Sequence, residues 1–306
     1  MQTIAMSSEP VKAMVSESPW RRALEDFIAS RAALFSLIVL LVLCLGALLA
    51  PYVTPQNPYD LEQLNIINGH LKPGSQSADG LFFFLLGTDD QGRDIYSGIV
   101  YGLRISLMIG FVCTAVALVI GIVFGLVAAY FGGRLEMFIM RIVDLQLSFP
   151  AMLIALILVS VLGGGLDKVM IAVIAVQWAY YARTIRGAAL VERKKEYIEA
   201  AQCLGLSNTR VLFSHLLPNS IPPLIVVATI NVAHAISLEA TLSFLGVGAP
   251  ITHPSLGRLI ANGYSYMLSG EYWISFFPGL VLLLTIVAIN LVGDRLRDVL
   301  NPRLMK

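Results

Sequence analysis

Apolar residues collect in six long runs, at about 32–53, 105–131, 149–162, 169–182, 221–244 and 273–292. A bilayer core about 30 Å thick asks for about 20 mostly apolar residues in a helix. Lipid offers the backbone no hydrogen-bond partners, so such runs must bond internally as helices. The pattern predicts an all-α membrane protein with six transmembrane helices. The third run is short and is expected to extend into the segment before it. The first is longer than a signal-peptide core of about 7–15 residues and is followed by Pro51. It is expected to be a retained helix.

Charge orients the bundle. Lys12, Arg21, Arg22 and Arg31 sit before or at the start of the first run, and Arg134 and Arg141 lie between the second and third. Arg183, Arg186, Arg193, Lys194, Lys195 and Arg210 lie between the fourth and fifth, and Arg295, Arg297, Arg303 and Lys306 follow the sixth. Residues 54–103 hold Lys72 and Arg93 against Asp60, Glu62, Asp79, Asp89, Asp90 and Asp94, a net of −4. The loop after the fifth run offers only Arg258. Basic loops stay in the cytoplasm. Both termini are therefore expected inside and the acidic loop outside, as an even number of spans requires.

Composition agrees. The chain is 57% apolar and 13% charged, against about 45–50% and about 25% in soluble domains, and its mean hydropathy is +0.77. That excess must face lipid. A net charge of +1 gives no footprint for a nucleic acid, and none is expected as a partner. Cys44, Cys113 and Cys203 lack metal-ligand spacing and read as small hydrophobes.

The chain divides into residues 1–100 (a cytoplasmic tail, one span and an outer segment), residues 101–294 (five spans) and a tail, 295–306. Residues 54–86 are rich in Pro, Gly, Asn and Gln and predict irregular structure with turns. In the second span Cys113, Ala117, Gly121, Gly125 and Ala129 recur every fourth residue. This stripe admits a close neighbour, either within the bundle or in a second subunit.

The connection 191–219 reads VERKKEYIEAAQCLGLSNTRVLFSHLLPN. Tyr197, Ala201 and Leu204, with Ile198 beside them, form one apolar stripe of a short helix. Gly205 falls where a C-terminal cap glycine would. Ser207 or Asn208 can cap a second short helix, through Val211, Leu212 and His215, expected to stop before Pro218. Two surface helices with a glycine elbow follow.

Glu199-Ala200-Ala201, Gly205 and His215-Leu216-Leu217-Pro218-Asn219 resemble the EAA loop of ATP-binding-cassette (ABC) importer permeases. Leu86 to Asp94 (LGTDDQGRD), Ala240 to Gly248 (ATLSFLGVG) and Gly293 to Pro302 (GDRLRDVLNP) resemble the C-type dipeptide and oligopeptide permeases. Arg295 and Asn301 depart from that pattern, which commonly has Gly and Asp there. The resemblance implies a type I importer permease: a MetI-like core of five helices plus one N-terminal helix, in a bacterial inner membrane. It implies a second homologous permease, two cytoplasmic ABC ATPases and a periplasmic solute-binding protein as partners. It makes Glu199, Ala200, Ala201, Leu204, Gly205, His215 and Pro218 the loop that couples to the ATPase. The implied cargo is a dipeptide or oligopeptide, though relatives handle nickel complexes or glutathione.

Other chemistry is missing. The sequence holds no GxxxxGK[ST], GxSxG or HExxH, and Gly163-Gly164-Gly165 lacks the lysine placement of a phosphate loop. No enzymatic activity and no cofactor are expected on this chain; ATP and Mg would belong to the partners. Asn231, His234 and Glu239 are polar residues inside the fifth span, with Glu239 expected near its outer end. Two readings stand: they line a solute pathway, or they hydrogen-bond between helices. An ion-coupled transporter would need buried carboxylates in several spans, and an intramembrane enzyme would need a partner for His234.

Overall fold

The computed structural model describes residues 19–250, 252–253 and 255–300. Lys12, Asn301, Pro302, Arg303 and Lys306, and the side chains of Arg21 and Arg22, lie outside that description. Helix α1 (Pro19–Ala29) leads into α2 (Arg31–Leu48), whose cap Ser30 accepts from the Ala33 N–H at 3.4 Å. Pro51 sits in the first turn of a short helix, α3 (Ala50–Val53). Residues 54–94 are irregular, as their composition predicts. They hold two 3₁₀ turns and a two-stranded hairpin, β1 (Ser75–Gln76) with β2 (Phe83–Phe84), paired Ser75 to Phe84.

That segment ends in a rigid cap. Asp94 accepts from the Ser97 N–H at 2.9 Å and the Ser97 hydroxyl at 2.6 Å, and so caps α4 (Ile95–Phe131). Helix α4 thus begins at Ile95, ten residues before the apolar run does. Asp89 accepts from the Gln91 and Arg93 amides at 2.9 Å. Its carboxylate lies 3.6 Å from the fully buried Arg93 guanidinium. Burial pushes the Asp89 carboxyl up from the usual range, against the pull of Arg93. Gly92 has φ +74°, and a Cβ there would run into the Asn65 carbonyl. His70 Nδ1 lies 2.5 Å from Glu271 Oε2, and Trp273 Nε1 donates to the Thr88 carbonyl at 3.3 Å.

Helices α5 (Gly133–Ser148) and α6 (Ala151–Leu162) meet at a 94° bend, where Pro150 has no N–H to continue the ladder. Then come α7 (Leu166–Glu192), α8 (Glu196–Cys203), α9 (Asn208–Arg210), a π turn over Val211–Leu216, α10 (Leu217–Ser220), α11 (Pro222–Phe244), α12 (Leu256–Tyr264) and α13 (Trp273–Leu300). Four of these, α2, α4, α11 and α13, are long and apolar enough to cross a membrane, and the bent α5–α6 pair makes a fifth. The fourth apolar run lies in α7, which carries Asp167, Lys168, Gln177, Arg183 and Arg186. It packs against α4, α5, α6 and α11.

Helix α4 packs most extensively on α7. The small-residue stripe makes this contact, so it serves packing within the chain. Cys113, Ala117 and Ala129 are fully buried. A Cβ on Gly121 would overlap Tyr181 Cβ, and one on Gly125 would overlap Ala182 O and Ile185 Cγ2. Cys113 meets Met170, and Arg193 reaches the Ala129 carbonyl, so α4 and α7 run parallel. Helix α11 runs antiparallel to α4, with Ile236 over Gly110 and Glu239 at Ser106. Helix α13 in turn opposes α11, with Thr229 against Gly293. Helix α2 leans on α13 and α4 from outside, and only 17% of it is buried. Arg295 donates to the Asp26 carbonyl, which ties α1 to the end of α13. Of the cysteines, Cys113 is buried, Cys44 half-buried and Cys203 exposed, and all three are free.

Replacing Gly125 by Leu is expected to destabilise the protein by about 1–3 kcal/mol or more through overpacking. Gly279→Leu, at a position with open space around it, is expected to be neutral. Thermal melts in detergent compare the two, and equal melting temperatures would refute the packing account.

Candidate functional site

The strongest sequence signal falls on α8, at the end of the bundle where α4 and α7 finish and α11 starts. Glu196 and Glu199 lie in its first turn, where the helix dipole favours carboxylates. Ile198 and Ala201 are buried against Leu126, Ile185 and Leu216. The expected stripe of Tyr197, Ala201 and Leu204 does not form as one face. Leu204 is 81% exposed and Tyr197 is 38% exposed. The helix ends at Cys203, so Leu204 falls in the cap and escapes the helical phase.

The elbow is a Schellman cap. The Gly205 N–H donates to the Gln202 carbonyl at 2.9 Å, and the Leu206 N–H to the Ala201 carbonyl at 3.2 Å. Gly205 carries φ +74°, which this cap requires. Leu206 closes it by packing on the core. Glu199, Ala200, Gln202, Cys203, Leu204 and Gly205 then form one exposed surface that no described part of the chain covers.

Ser207 caps the second helix, accepting from the Arg210 N–H at 3.4 Å. This helix does not stop before Pro218, as expected; it continues to Ser220. A π turn lets the Leu217 N–H reach the Leu212 carbonyl, five residues back. The wider turn makes room for Pro218, whose ring would otherwise meet the carbonyl four residues earlier. Asn219 Nδ2 donates to the His215 carbonyl at 2.7 Å, and Ser220 Oγ donates to the Leu216 carbonyl at 2.8 Å. These side chains satisfy carbonyls in the turn that precedes the proline. His215 is half-buried within this turn, and Pro218 is exposed.

Polar side chains suspend the loop from three helices. The Tyr197 hydroxyl donates to Glu192 Oε1 on α7 and accepts from Asn219 Nδ2 at 3.0 Å, just before α11. Desolvation first, then the Glu192 carboxylate, push that hydroxyl up to about 12, so it stays a donor. Lys195 Nζ holds the other Glu192 oxygen at 2.8 Å. Tyr130, at the end of α4, donates to Asn208 Oδ1 at 2.7 Å, and the Arg193 guanidinium lies 5.9 Å from its ring centre. The sequence reading names these residues but misses their role as joints: Tyr197 reads as part of an apolar stripe, Asn208 as a candidate cap and Asn219 as part of the loop motif.

A cleft of about 510 Å³ opens between α6, α7 and α11. Asn231 and His234 line it, as do Gln177, Tyr180, Ser237 and Thr241. Gln177 Nε2 donates to the Asn231 carbonyl at 2.8 Å. Glu239 is not among the lining residues. It is fully buried, with three serines as its hydrogen-bond partners. Ser106 donates at 3.0 Å and Ser243 at 2.8 Å, and Ser255 bonds it from the cap of α12. Its interhelical reading is the one the geometry carries. Among the described residues no cluster of His, Cys, Asp or Glu could hold a metal.

Residues 121–306 match the family described as the binding-protein-dependent transport system inner membrane component. Residues 18–73 match the N-terminal TM domain of oligopeptide transport permease C. A dipeptide transport system permease protein of Alkalihalophilus pseudofirmus is 36% identical, over 97% of this chain and 94% of its own length. A di/tripeptide transport system permease protein of Pseudomonas aeruginosa is 37% identical, over 98% and 97%. The fold matches a chain of the MetNI methionine ABC transporter, solved in inward-facing conformations, with a TM-score of 0.55 and 22% identity. That match covers 66% of this chain and 96% of the other.

Tyr197→Phe removes both hydroxyl bonds. Hydrogen bonds to charged groups contribute about 1.5–3 kcal/mol, so the amides of α8 are expected to exchange about tenfold faster or more. Hydrogen exchange read by mass spectrometry checks this, and unchanged exchange would show that Tyr197 bears no load.

Proposed function

The chain belongs to the family of binding-protein-dependent transport system inner membrane components, and we propose that it is the permease subunit of an ABC importer for short peptides. In this reading it crosses the bacterial inner membrane six times. The spans are α2, α4, the bent α5–α6 pair, α7, α11 and α13. Helix α7 crosses against α4 and α11, with its Gln177 buried between them. Both termini and α8 face the cytoplasm, where Arg183, Arg186, Arg193, Lys194 and Lys195 collect. The segment 54–94 and α12 face outward.

The observation that carries the proposal is the uncovered surface of α8. A membrane subunit with no motor of its own must grip one. Ala200 and Gly205 let another backbone come close, the Glu199 carboxylate can take an Arg or Lys, and Leu204 offers an exposed apolar contact. Movement imposed there passes through Tyr197 to α7 and to the start of α11, and through Asn208 to α4. Helices α7 and α11 carry Gln177, Asn231 and His234, which would line the solute route. A second permease supplies the other half of that route. Two cytoplasmic ATPases bind ATP and Mg, and this chain binds neither. An extracytoplasmic binding protein delivers the solute. The peptide assignment rests on the relatives' names and on the C-type motifs.

Tagged protein purified in mild detergent should bring down a second permease and one or two Walker-motif ATPases. Recovery alone, as a homo-oligomer, would overturn the motor-coupling reading. Within the complex, Glu199→Lys and Gly205→Val are expected to abolish most uptake while membrane insertion persists. Valine at φ +74° costs about 1–3 kcal/mol locally and distorts the elbow. Normal uptake by both variants would refute the role of the loop.

A further inference from the structure

Three cavities follow one face of α11. The cleft beside Asn231 and His234 reaches Ser237 and Thr241. A second, of about 320 Å³, shares Ser237 and Thr241 and extends to Phe244. A third, of about 360 Å³, shares Phe244 and opens onto Asp90, Arg258, Asn262 and Ser265. Together they line α11 from the middle of the bundle to the end where residues 54–94 lie.

The third cavity differs in character from the other two. It holds a guanidinium and a carboxylate from different parts of the fold. Asp90 comes from the tight turn fixed by Asp89 and Arg93. Arg258 comes from α12, whose cap Ser255 is held by buried Glu239. Asp90 Oδ1 and Arg258 Nε are both shielded from solvent and lack a hydrogen-bond partner among the described residues. One is an acceptor and the other a donor. A shielded group of this kind is costly unless something completes it.

We infer that this outer cavity receives the two charged ends of a zwitterionic solute, a short peptide with free α-amino and α-carboxylate groups, before it enters the cleft. The inference rests on the peptide-import reading above. Arg258 suits the carboxylate through paired N–H donors, and Asp90 suits the ammonium. A purely anionic solute would meet Asp90, and a purely cationic one Arg258, so opposite charges in one cavity select the zwitterion. Continuity with the cleft through Phe244 and Thr241 favours a solute over a docking segment of the binding protein.

The test uses the whole transporter in proteoliposomes, with this chain, its partner permease, the ATPases and the binding protein. Uptake of radiolabelled alanyl-alanine is normalised to complete complexes by subunit content, so a folding defect does not count as lost function. Loss of a charged hydrogen bond predicts that Arg258→Gln and Asp90→Asn each lower the maximal rate per complex about tenfold. The half-saturating concentration of loaded binding protein should stay the same. Variants as fast as the wild type would overturn the inference and leave the peptide reading standing. A raised half-saturating concentration with an intact maximal rate would make the cavity a docking site for the binding protein, which also overturns it. A complete wild-type complex that moves no alanyl-alanine would sink the peptide reading, and this inference with it.

Discussion

The close approach of α4 and α7 constrains the rest of the molecule. In lipid, helices gain little from the hydrophobic effect when they pair, so contact depends on how near two backbones can come. Gly121 and Gly125 remove the side chains that would hold α7 away. That contact buries one face of α7, including the polar Gln177, inside the bundle. Because the two helices run parallel, their C-terminal ends finish side by side. Tyr130, Glu192 and Arg193 therefore stand together, and the loop can hang from both helices at once.

The sequence shows some of this directly. The apolar runs locate α2, α4, α11 and α13, since those helices face lipid over much of their surface. The Gly205 elbow is also legible, because few residues other than glycine tolerate the conformation its cap needs. Other features depend on neighbours that periodicity does not see. Pro218 reads as a helix stop, yet the π turn and the side chains of Asn219 and Ser220 carry the helix past it. Tyr197 reads as apolar, yet Asn219, 22 residues later, makes its hydroxyl a joint. Glu239 reads as an intramembrane polar residue with two possible roles, and periodicity cannot choose between them, because its partner Ser106 lies 133 residues away.

Polar groups inside the bundle act as fasteners. An unpaired carboxyl in such a place is costly, and the three serines around Glu239 offset that cost with hydrogen bonds. Each serine belongs to a different part of the fold: Ser106 to α4, Ser243 to α11 and Ser255 to the cap of α12. The cluster pins α12 to the bundle. It also fixes Arg258, one turn into α12, relative to Asp90.

The two ends of the bundle are consequently built for different demands. At one end, residues 87–94 are locked by backbone-accepting carboxylates, buried Arg93 and glycines with no room for a side chain. At the other end, α8 touches the core through Ile198 and Ala201 alone on its own length, and single side-chain hydrogen bonds link it to its neighbours. A rigid mouth and a loosely hung loop share α11, which starts beside Asn219 and finishes at the Arg258 cavity. In the proposed coupling, a displacement of α8 would enter α11 through Asn219 and meet the Glu239 cluster beyond the cleft at Asn231 and His234. The cleft lies along α11 between its contact with the loop and the Glu239 cluster.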